Sequence, residues 1–435
     1  MPKAVQARPE GLPVNTEKSA ALYTRAVEVM PGGNSRTAVY SSPYPVYVRS
    51  GSGARVTDVD GVERIDFLNN STTLIHGHAH PEMVEAIAAA VGHGTSFGMP
   101  TPVEVEYAEA LSARNETFEH VRFTSSGTEA VMMAVQAARA FTERPKIAKI
   151  AGAYHGAYDA VAVNNDGSGN LISHAVTGNP QGVVGNTVVI PFNDPEGSLE
   201  VLRQHADELA CVLIDPVPWR IGLLPASKEW LDALREFCDA SGAVLISDEV
   251  GSYRVGYHGA MQLLGAEADI TVLGKVIAAG MPIGAVAGRR RFMSVFDPSK
   301  GKPALPHSGS YNANPVSMSS GIAALRLLTP EAHERIGQLG EQARAGMRAA
   351  LTEAGLDWEV NGLGSLFRVV ANSAPAGYDS AATAMKALYW KLLDNGIHLG
   401  DSGLGCVSTP MGEEEIAEYS VAFAKSLGQV LAEGR

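Results

Sequence analysis

Two charged residues end strand-like apolar runs, and together they could perform covalent chemistry on an amine. Lys275 follows the apolar run 270–274, and Asp248 closes the run that begins at residue 244. A lysine amine can form a Schiff base with an aldehyde, and a carboxylate beside a pyridine nitrogen keeps that nitrogen protonated, so that the ring accepts electrons. Strands also end in Lys or Asp simply where the chain meets water, so neither residue alone decides the matter.

A candidate anion site lies in the segment Ser126-Gly127-Thr128, which follows the apolar residues of 121–123. Apolar residues recur after it at the spacing of a buried helix face, namely Ala130, Met133, Ala134, Ala137, Ala138 and Phe141. This pattern predicts a helix that begins near Ser126 or Gly127. The free N–H groups and positive dipole of such a helix start can hold a phosphate, although an ordinary Ser or Thr cap gives the same local sequence.

The elements around these residues follow an alternating order. Strand-like runs at 212–214 and 244–246 alternate with helical patterns such as 230–238. This order predicts an α/β domain with a mostly parallel sheet. After another such run, Tyr154-His155-Gly156 places an aromatic ring that could stack on a flat heterocycle, or could equally be a core or turn tyrosine.

The ordered set of Ser126-Gly127-Thr128, Tyr154-His155-Gly156, Asp248-Glu249-Val250 and Gly274-Lys275 resembles the class III, fold type I family of pyridoxal-phosphate-dependent aminotransferases. The nearest resemblance within the family is to glutamate-1-semialdehyde aminomutases and to aminotransferases of β-amino acids such as β-phenylalanine. It implies an α/β fold, with a large domain built on a mostly parallel central sheet plus a smaller α+β domain. The expected boundaries are an N-terminal segment 1–75 that contributes to the small domain, a large pyridoxal-phosphate-binding domain 76–320, and a C-terminal small domain 321–435.

The same resemblance implies a role for each residue of the motifs. Lys275 would carry the Schiff base with pyridoxal 5'-phosphate, and Asp248 would pair with the ring nitrogen. The other cofactor contacts would be Ser126, Gly127 and Thr128 on the phosphate, Tyr154 and Val250 on the two ring faces, and Ser310 reaching the phosphate from the partner subunit. Each site of the expected homodimer would therefore be built by two chains.

Departures from the family pattern bear on the substrate. The segment 251–254 is one residue shorter than in the semialdehyde mutases, and the loop 400–405 lacks their glutamate, which both favour an aminotransferase. Arg36 is the candidate for binding a substrate carboxylate, with a surface ion pair as the alternative. Ser402 replaces an arginine that β-amino acid enzymes can use for the acceptor, so the acceptor stays open. Trp219 and Arg220 could form a pocket wall, or could pack at an interface and face solvent.

The composition of the chain excludes several other classes of protein. Its 435 residues carry 34 Lys and Arg against 47 Asp and Glu, and the resulting charge of −13 disfavours binding to nucleic acid or to anionic membranes. Three cysteines are too few for a disulfide framework, and the spacing of the histidines matches no metal site, so we expect buried thiols and no metal. No signal-peptide pattern or membrane-length apolar run is present, which predicts a cytoplasmic enzyme. Residues 1 to about 15 read as a loose arm.

The sequence thus predicts a homodimeric aminotransferase that uses pyridoxal phosphate and a ping-pong mechanism. It would move an amino group from a small carboxylated amine, with a β-amino acid as the expected type, to a keto acid. The first alternative is a 2,1-aminomutase of the glutamate-1-semialdehyde type. The second is a module that binds pyridoxal phosphate without catalysing a reaction.

Overall fold

The computed structural model describes residues 16–165, 171–173 and 178–434, which form two compact units. One unit contains residues 81–335, and the other contains residues 16–80 together with 336–434. The loose arm expected for residues 1 to 15 lies outside the described residues. The domain boundaries expected from the sequence, at 75/76 and 320/321, stay a prediction.

A seven-stranded sheet forms the centre of the unit 81–335. Its strands are β4 (His120–Thr124), β5 (Lys146–Ile150), β8 (Thr187–Ile190), β9 (Leu209–Ile214), β10 (Val244–Asp248), β11 (Ile270–Gly274) and β12 (Gly284–Gly288). Their order across the sheet is β4-β12-β11-β10-β9-β5-β8, and only β12 is antiparallel to its neighbours. The prediction of a mostly parallel sheet is therefore confirmed. Two short antiparallel strands, β6 (Val163–Asn165) and β7 (Leu171–Ser173), form a separate ribbon.

The central strands are buried on both faces, which explains why they read as continuous apolar runs rather than as alternating ones. Every residue of β8, β9, β10, β11 and β12 is buried. The helices of this unit are α3 (Pro81–His93), α4 (Pro102–Ser112), α5 (Gly127–Thr142), α6 (Gln181–Val184), α7 (Pro195–Arg203), α8 (Lys228–Ser241), α9 (Ala260–Leu263), α10 (Arg290–Met293) and α11 (Pro315–Leu327). Two apolar clusters fill the core, one centred on α5 and the other on α8.

Helix α5 begins where the sequence predicted. Ser126 is its N-cap, and the Ser126 hydroxyl accepts a hydrogen bond from the Glu129 backbone N–H at 3.2 Å. The predicted apolar positions of α5 are buried from Ala130 to Ala138, but the expectation was wrong for Phe141, which is 41% exposed. Phe141 lies near the end of the helix and packs edge-on against the Phe292 ring instead, with 4.7 Å between the ring centroids.

The second unit combines helices with two small sheets. Its strands are β1 (Val48–Ser52), β2 (Arg55–Asp58), β3 (Glu63–Asp66), β13 (Glu359–Asn361), β14 (Leu366–Val370), β15 (Ile397–His398) and β16 (Leu404–Cys406). The sheet orders are β1-β2-β3-β15 and β13-β14-β16. The helical elements are α1 (Glu17–Ala26), α2 (Asn69–Thr72), the part of α12 (Pro330–Glu353) from residue 336 onward, α13 (Ala381–Asp394) and α14 (Glu413–Glu433).

Two expectations about the whole chain can be compared with the structure. Cys211, Cys238 and Cys406 are buried free thiols, as expected. Within residues 16–165, 171–173 and 178–434, no helix has both the length and the apolar character needed to cross a membrane.

One glycine of the central sheet controls the position of the Ser126 turn. Gly284 in β12 pairs with Thr124, and a Cβ at Gly284 would overlap the Ser126 carbonyl oxygen. We expect Gly284→Ala to lower the free energy of unfolding by about 1–3 kcal/mol, because the overlap forces the backbone after β4 to move. Denaturant unfolding monitored by circular dichroism measures the change.

Gly92 provides the matched control for this substitution. Gly92 lies in α3, and a Cβ at this position would meet nothing within 4 Å. Gly92→Ala should stabilise the protein by about 0.5–1 kcal/mol, since alanine is the better helix former. Equal stability of the two variants would contradict the packing argument.

Candidate active site

The carboxyl ends of five parallel strands bring the candidate residues to one edge of the central sheet. Asp248 is the last residue of β10 and pairs with Val272 of β11. Lys275 comes three residues after Val272, directly beyond the end of β11. The loops after the other strands supply the remaining candidates, namely Ser126 after β4, Tyr154 and His155 after β5, and Trp219 and Arg220 after β9. In open α/β sheets this edge is where ligands bind.

Lys275 lies directly after β11 in an unusual backbone conformation. Its φ angle is +50°, which is uncommon for a residue with a side chain, and it begins a short 3-10 helix, Lys275–Ile277. A Cβ at Gly251 would lie 3.6 Å from the Lys275 Nζ atom. The absence of a side chain at Gly251 therefore leaves space beside the lysine amine.

Asp248 is buried and is held by two hydrogen bonds. Its Oδ2 atom lies 2.8 Å from His155 Nδ1, and its Oδ1 atom accepts a hydrogen bond from the Val250 backbone N–H at 3.1 Å. Burial lowers the pKa of His155, so the imidazole is neutral at pH 7, and its Nδ1 atom must carry the proton that the carboxylate accepts. His155 therefore fixes the orientation of the Asp248 carboxylate.

A second buried carboxyl group, Asp215, lies near Asp248. Its Oδ1 atom accepts hydrogen bonds from the Val217 backbone N–H at 2.9 Å and from the Ser252 hydroxyl at 3.3 Å. Burial, together with the negative charge of Asp248, raises the pKa of Asp215 to about 8. The protein without cofactor therefore holds Asp215 as a neutral acid at pH 7, next to an imidazole-bound aspartate.

The turn Ser126-Gly127-Thr128, which is the candidate phosphate site, is closely packed. A Cβ at Gly127 would lie 2.8 Å from Val250 Cγ1, and a Cβ at Gly156 would lie 2.6 Å from Thr128 Oγ1. The structure therefore brings the turn, Val250 and the loop that carries Tyr154 together. The N–H groups of the first helical residues, Gly127 and Thr128, have no acceptor within the helix, so they are available to an anion.

The side chains of Tyr154, Trp219 and Arg220 form one cluster. The rings of Tyr154 and Trp219 meet edge-on, with 6.2 Å between their centroids. The Arg220 Cζ atom lies 4.9 Å from the centre of the Tyr154 ring and 5.7 Å from that of Trp219. Tyr154 is 43% exposed, so this cluster presents an aromatic and cationic surface.

Sequence reasoning missed two residues behind this surface. The sequence predicted no metal or acid–base role for His155, but its hydrogen bond to Asp248 is the shorter of the two that hold this carboxylate. Lys149 is buried, and its Nζ atom donates to the carbonyl oxygens of Ile150 at 2.9 Å and Val163 at 3.1 Å. Burial, and then the charge of Arg220, lowers the pKa of Lys149 to about 8. Lys149 thereby ties together the two ends of the loop that carries Tyr154.

The last two predicted site residues lie apart from these loops in the sequence. Ser310 is exposed, and its loop contacts the phosphate turn through Asn312, whose Oδ1 atom accepts a hydrogen bond from the Ser125 hydroxyl at 3.3 Å. Arg36 belongs to the unit that contains residues 16–80. It is exposed, and its Nη1 atom donates to Asn70 Oδ1 at 2.7 Å, so this hydrogen bond goes to a neutral amide.

The residues at the sheet edge fit pyridoxal phosphate. A helix start with open N–H groups suits the phosphate, and the Asp248 carboxylate suits a protonated pyridine nitrogen. The lysine amine suits an aldehyde, and at Gly251 no side chain stands beside the Lys275 amine. The roles of the individual residues stay predictions.

The family model of the class III aminotransferases matches residues 37–411 of the chain. The chain belongs to this family. A solved transaminase with pyridoxal phosphate bound is 95% identical, with a TM-score of 0.95 over 97% of this chain and 100% of that one.

Two further relatives show the range of activities among similar proteins. A solved β-phenylalanine aminotransferase from Variovorax paradoxus is 32% identical, with a TM-score of 0.86 over 95% of this chain and 94% of that one. A glutamate-1-semialdehyde 2,1-aminomutase from Methanothermobacter thermautotrophicus is 36% identical over 95% of this chain and 99% of its own length.

These comparisons confirm several expectations from the sequence. The fold is that of the fold type I transferases, the protein is a pyridoxal-phosphate-dependent transaminase, and its cofactor is pyridoxal phosphate. The alternative of a module without catalysis is therefore set aside.

The neutral Asp215 of this aminotransferase should make the stability of the cofactor-free protein depend on pH. Because its pKa rises from 3.8 to about 8 on folding, the folded state binds the extra proton between these values, and stability falls as pH rises from about 4 to 8. Asp215→Asn removes this proton, so the variant should gain stability relative to wild type across that window. Urea unfolding at a series of pH values measures the difference.

Asp207 supplies the control for this experiment, since it lies exposed at the surface. Asp207→Asn should leave the pH dependence of wild type in place. A stability difference between Asp215→Asn and wild type that does not change from pH 4 to pH 8 would contradict a raised pKa for Asp215.

Proposed function

We propose that this aminotransferase is a homodimer that takes its amino group from a β-amino acid and passes it to a keto acid. The observation that carries the proposal is the convergence of Lys275, Asp248 and the Ser126 turn at one sheet edge, within a chain that has the shorter segment 251–254. The convergence supports the transfer chemistry, and the shorter segment supports a β-amino acid over a semialdehyde.

The residues of the sheet edge would divide the work of transfer. Pyridoxal phosphate supplies an aldehyde that bonds to amines and a ring that accepts electrons. Lys275 would hold the cofactor through its amine, and the free amine would carry a proton to and from the substrate carbon. Asp248 keeps the ring nitrogen protonated, and His155 holds the carboxylate in the orientation that this requires.

The substrate would be recognised by a guanidinium group and by an aromatic wall. Arg36 presents a planar fork that can bind both oxygens of a carboxylate. Tyr154, Trp219 and Arg220 form a cluster that suits an apolar or aromatic side chain. The similarity to a β-phenylalanine aminotransferase supports a β-amino acid with an aromatic side chain as the donor.

The homodimer is supported by exposed apolar side chains near Ser310. Phe97, Met99 and Tyr311 are 50%, 78% and 68% exposed. The loops that carry them are joined by a hydrogen bond from Asn314 Nδ2 to the Thr95 carbonyl oxygen at 2.8 Å. A second copy of the chain would cover these side chains and bring Ser310 to the phosphate of its partner.

The competing function is an aminomutase that moves an amino group within one substrate. The similarity to a glutamate-1-semialdehyde aminomutase over 95% of the chain favours it. The loop 400–405 without a glutamate, and the shorter segment 251–254, favour the aminotransferase.

Lys275→Ala should reduce transamination by roughly 10⁴-fold or more, because the variant lacks the amine that bonds the cofactor and moves the proton. The cofactor should still bind without a covalent bond, as measured by its retention on dialysis. Lys300→Ala, which changes an exposed lysine, should keep wild-type activity. Substantial transamination by Lys275→Ala would refute the role proposed for Lys275.

An experiment with one substrate and no keto acid distinguishes an aminotransferase from an aminomutase. Without a keto acid, an aminotransferase should release about one keto product per subunit from 3-amino-3-phenylpropanoate and then stop. Glutamate-1-semialdehyde, tested in the same way, should not be turned over continuously. Continuous conversion of the semialdehyde, followed by chromatography of the products, would establish the mutase instead.

A further inference from the structure

Four consecutive residues of the unit 16–80 have a left-handed backbone although none of them is glycine. The φ angles of α2 are 49° at Asn69, 51° at Asn70, 56° at Ser71 and 70° at Thr72. Left-handed helical turns of residues with side chains cost free energy at each position, and such strain concentrates at functional sites. Other contacts must therefore hold this turn in place.

The buried side of the turn is held by Asp66. Its Oδ1 atom accepts hydrogen bonds from the backbone N–H groups of Leu68 at 3.0 Å and Asn69 at 2.9 Å. The Asp66 carboxylate also forms hydrogen bonds with His78 Nε2 at 2.8 Å and with His398 Nδ1 at 3.0 Å. Although burial opposes ionisation, these histidines and the Asn69 N–H hold the pKa of Asp66 well below its usual value. The turn therefore rests on an ionised carboxylate.

The exposed side of the turn contacts Arg36. Asn69 points inward and donates from Nδ2 to the Asp66 carbonyl oxygen at 2.8 Å, whereas Asn70 is exposed and accepts the hydrogen bond from Arg36 Nη1. The backbone N–H of Arg36 donates to Asn34 Oδ1 at 2.9 Å. Arg36 is thus held at its backbone by one asparagine and at its guanidinium by another.

We infer that Asn70 is a positioning residue that orients Arg36 for the substrate carboxylate, an inference that rests on the function proposed for Arg36. An amide oxygen occupies one guanidinium N–H and leaves the positive charge uncancelled, so the remaining N–H groups can bind a carboxylate. An aspartate in the same place would cancel the charge. With this left-handed backbone, the Asn70 side chain lies against the arginine and accepts its hydrogen bond.

The test compares variants that keep the turn. Glycine accepts a left-handed backbone, so Asn70→Gly removes the side-chain amide without disturbing the turn. Ser71→Gly is the matched control, because it introduces a glycine at the next left-handed position and leaves the Asn70 amide in place. Asn70→Asp keeps the oxygen and adds a charge. Arg36→Ala and the double variant with Asn70→Gly complete a cycle that measures the coupling between the two residues.

Three compounds separate carboxylate binding from other effects. The donor is 3-amino-3-phenylpropanoate, and 3-phenylpropanoate is an inhibitor that lacks the amine. The third compound, 1-phenylethylamine, lacks the carboxylate and is tested as a substrate or as a competitor. Asn70→Gly should raise KM for the donor and the inhibition constant of 3-phenylpropanoate by about five- to tenfold, the effect of losing one hydrogen bond. It should leave kcat and the constant for 1-phenylethylamine unchanged. Asn70→Asp should raise the first two constants further.

The coupling decides the outcome. Ser71→Gly should match wild type, and Asn70→Gly should have no further effect in the Arg36→Ala background. If Asn70→Gly weakens the binding of all three compounds equally, or if Ser71→Gly has the same effect as Asn70→Gly, the turn is only structural and the inference is wrong. If Arg36→Ala leaves the binding of both carboxylates unchanged, or 3-amino-3-phenylpropanoate is not a donor, the proposed function has failed instead.

Discussion

The parallel sheet imposes one constraint on this enzyme, which is that the carboxyl ends of β4, β5, β9, β10 and β11 share an edge. Every residue of β9, β10 and β11 is buried, so the side chains of these strands belong to the core, and groups that could meet a ligand lie where each strand ends. Asp248 and Lys275 occupy these stopping points on adjacent strands. The helix start at Gly127 opens at the end of β4 for the same reason. The order of the strands alone therefore brings Asp248, Lys275 and the start of α5 to the same edge of the sheet.

Burial then gives similar groups different charges. Asp215 and Asp248 are both buried carboxyl groups, but Asp248 has an imidazole N–H and a backbone N–H as partners, whereas the charge of Asp248 opposes ionisation of Asp215. One group can therefore serve as the anion and the other as the neutral acid. This division of roles between neighbouring acids is a common way for an active site to perform acid and base chemistry at one pH.

The sequence predicted those parts of the fold and site that depend on local patterns. Apolar runs located the strand that ends at Asp248 and the strand that ends just before Lys275, and helical periodicity located the start of α5. The same periodicity failed at Phe141, because it cannot distinguish the core from a neighbouring ring at the end of a helix. The bond between His155 and Asp248 joins residues 93 positions apart, which no local pattern encodes. The left-handed turn at Asn70 has no signature either, since glycine is the residue that normally marks such a backbone.

The side chains of Tyr154, Trp219 and Arg220 come from two loops, whereas Asp248 and Lys275 lie at the ends of strands. Loops tolerate substitution and insertion far better than buried strands do. The cluster of Tyr154, Trp219 and Arg220 can consequently change while the sheet, Lys275 and Asp248 stay as they are. For anyone who engineers this chain, the residues proposed to select the amine are therefore separable from those proposed to carry the chemistry.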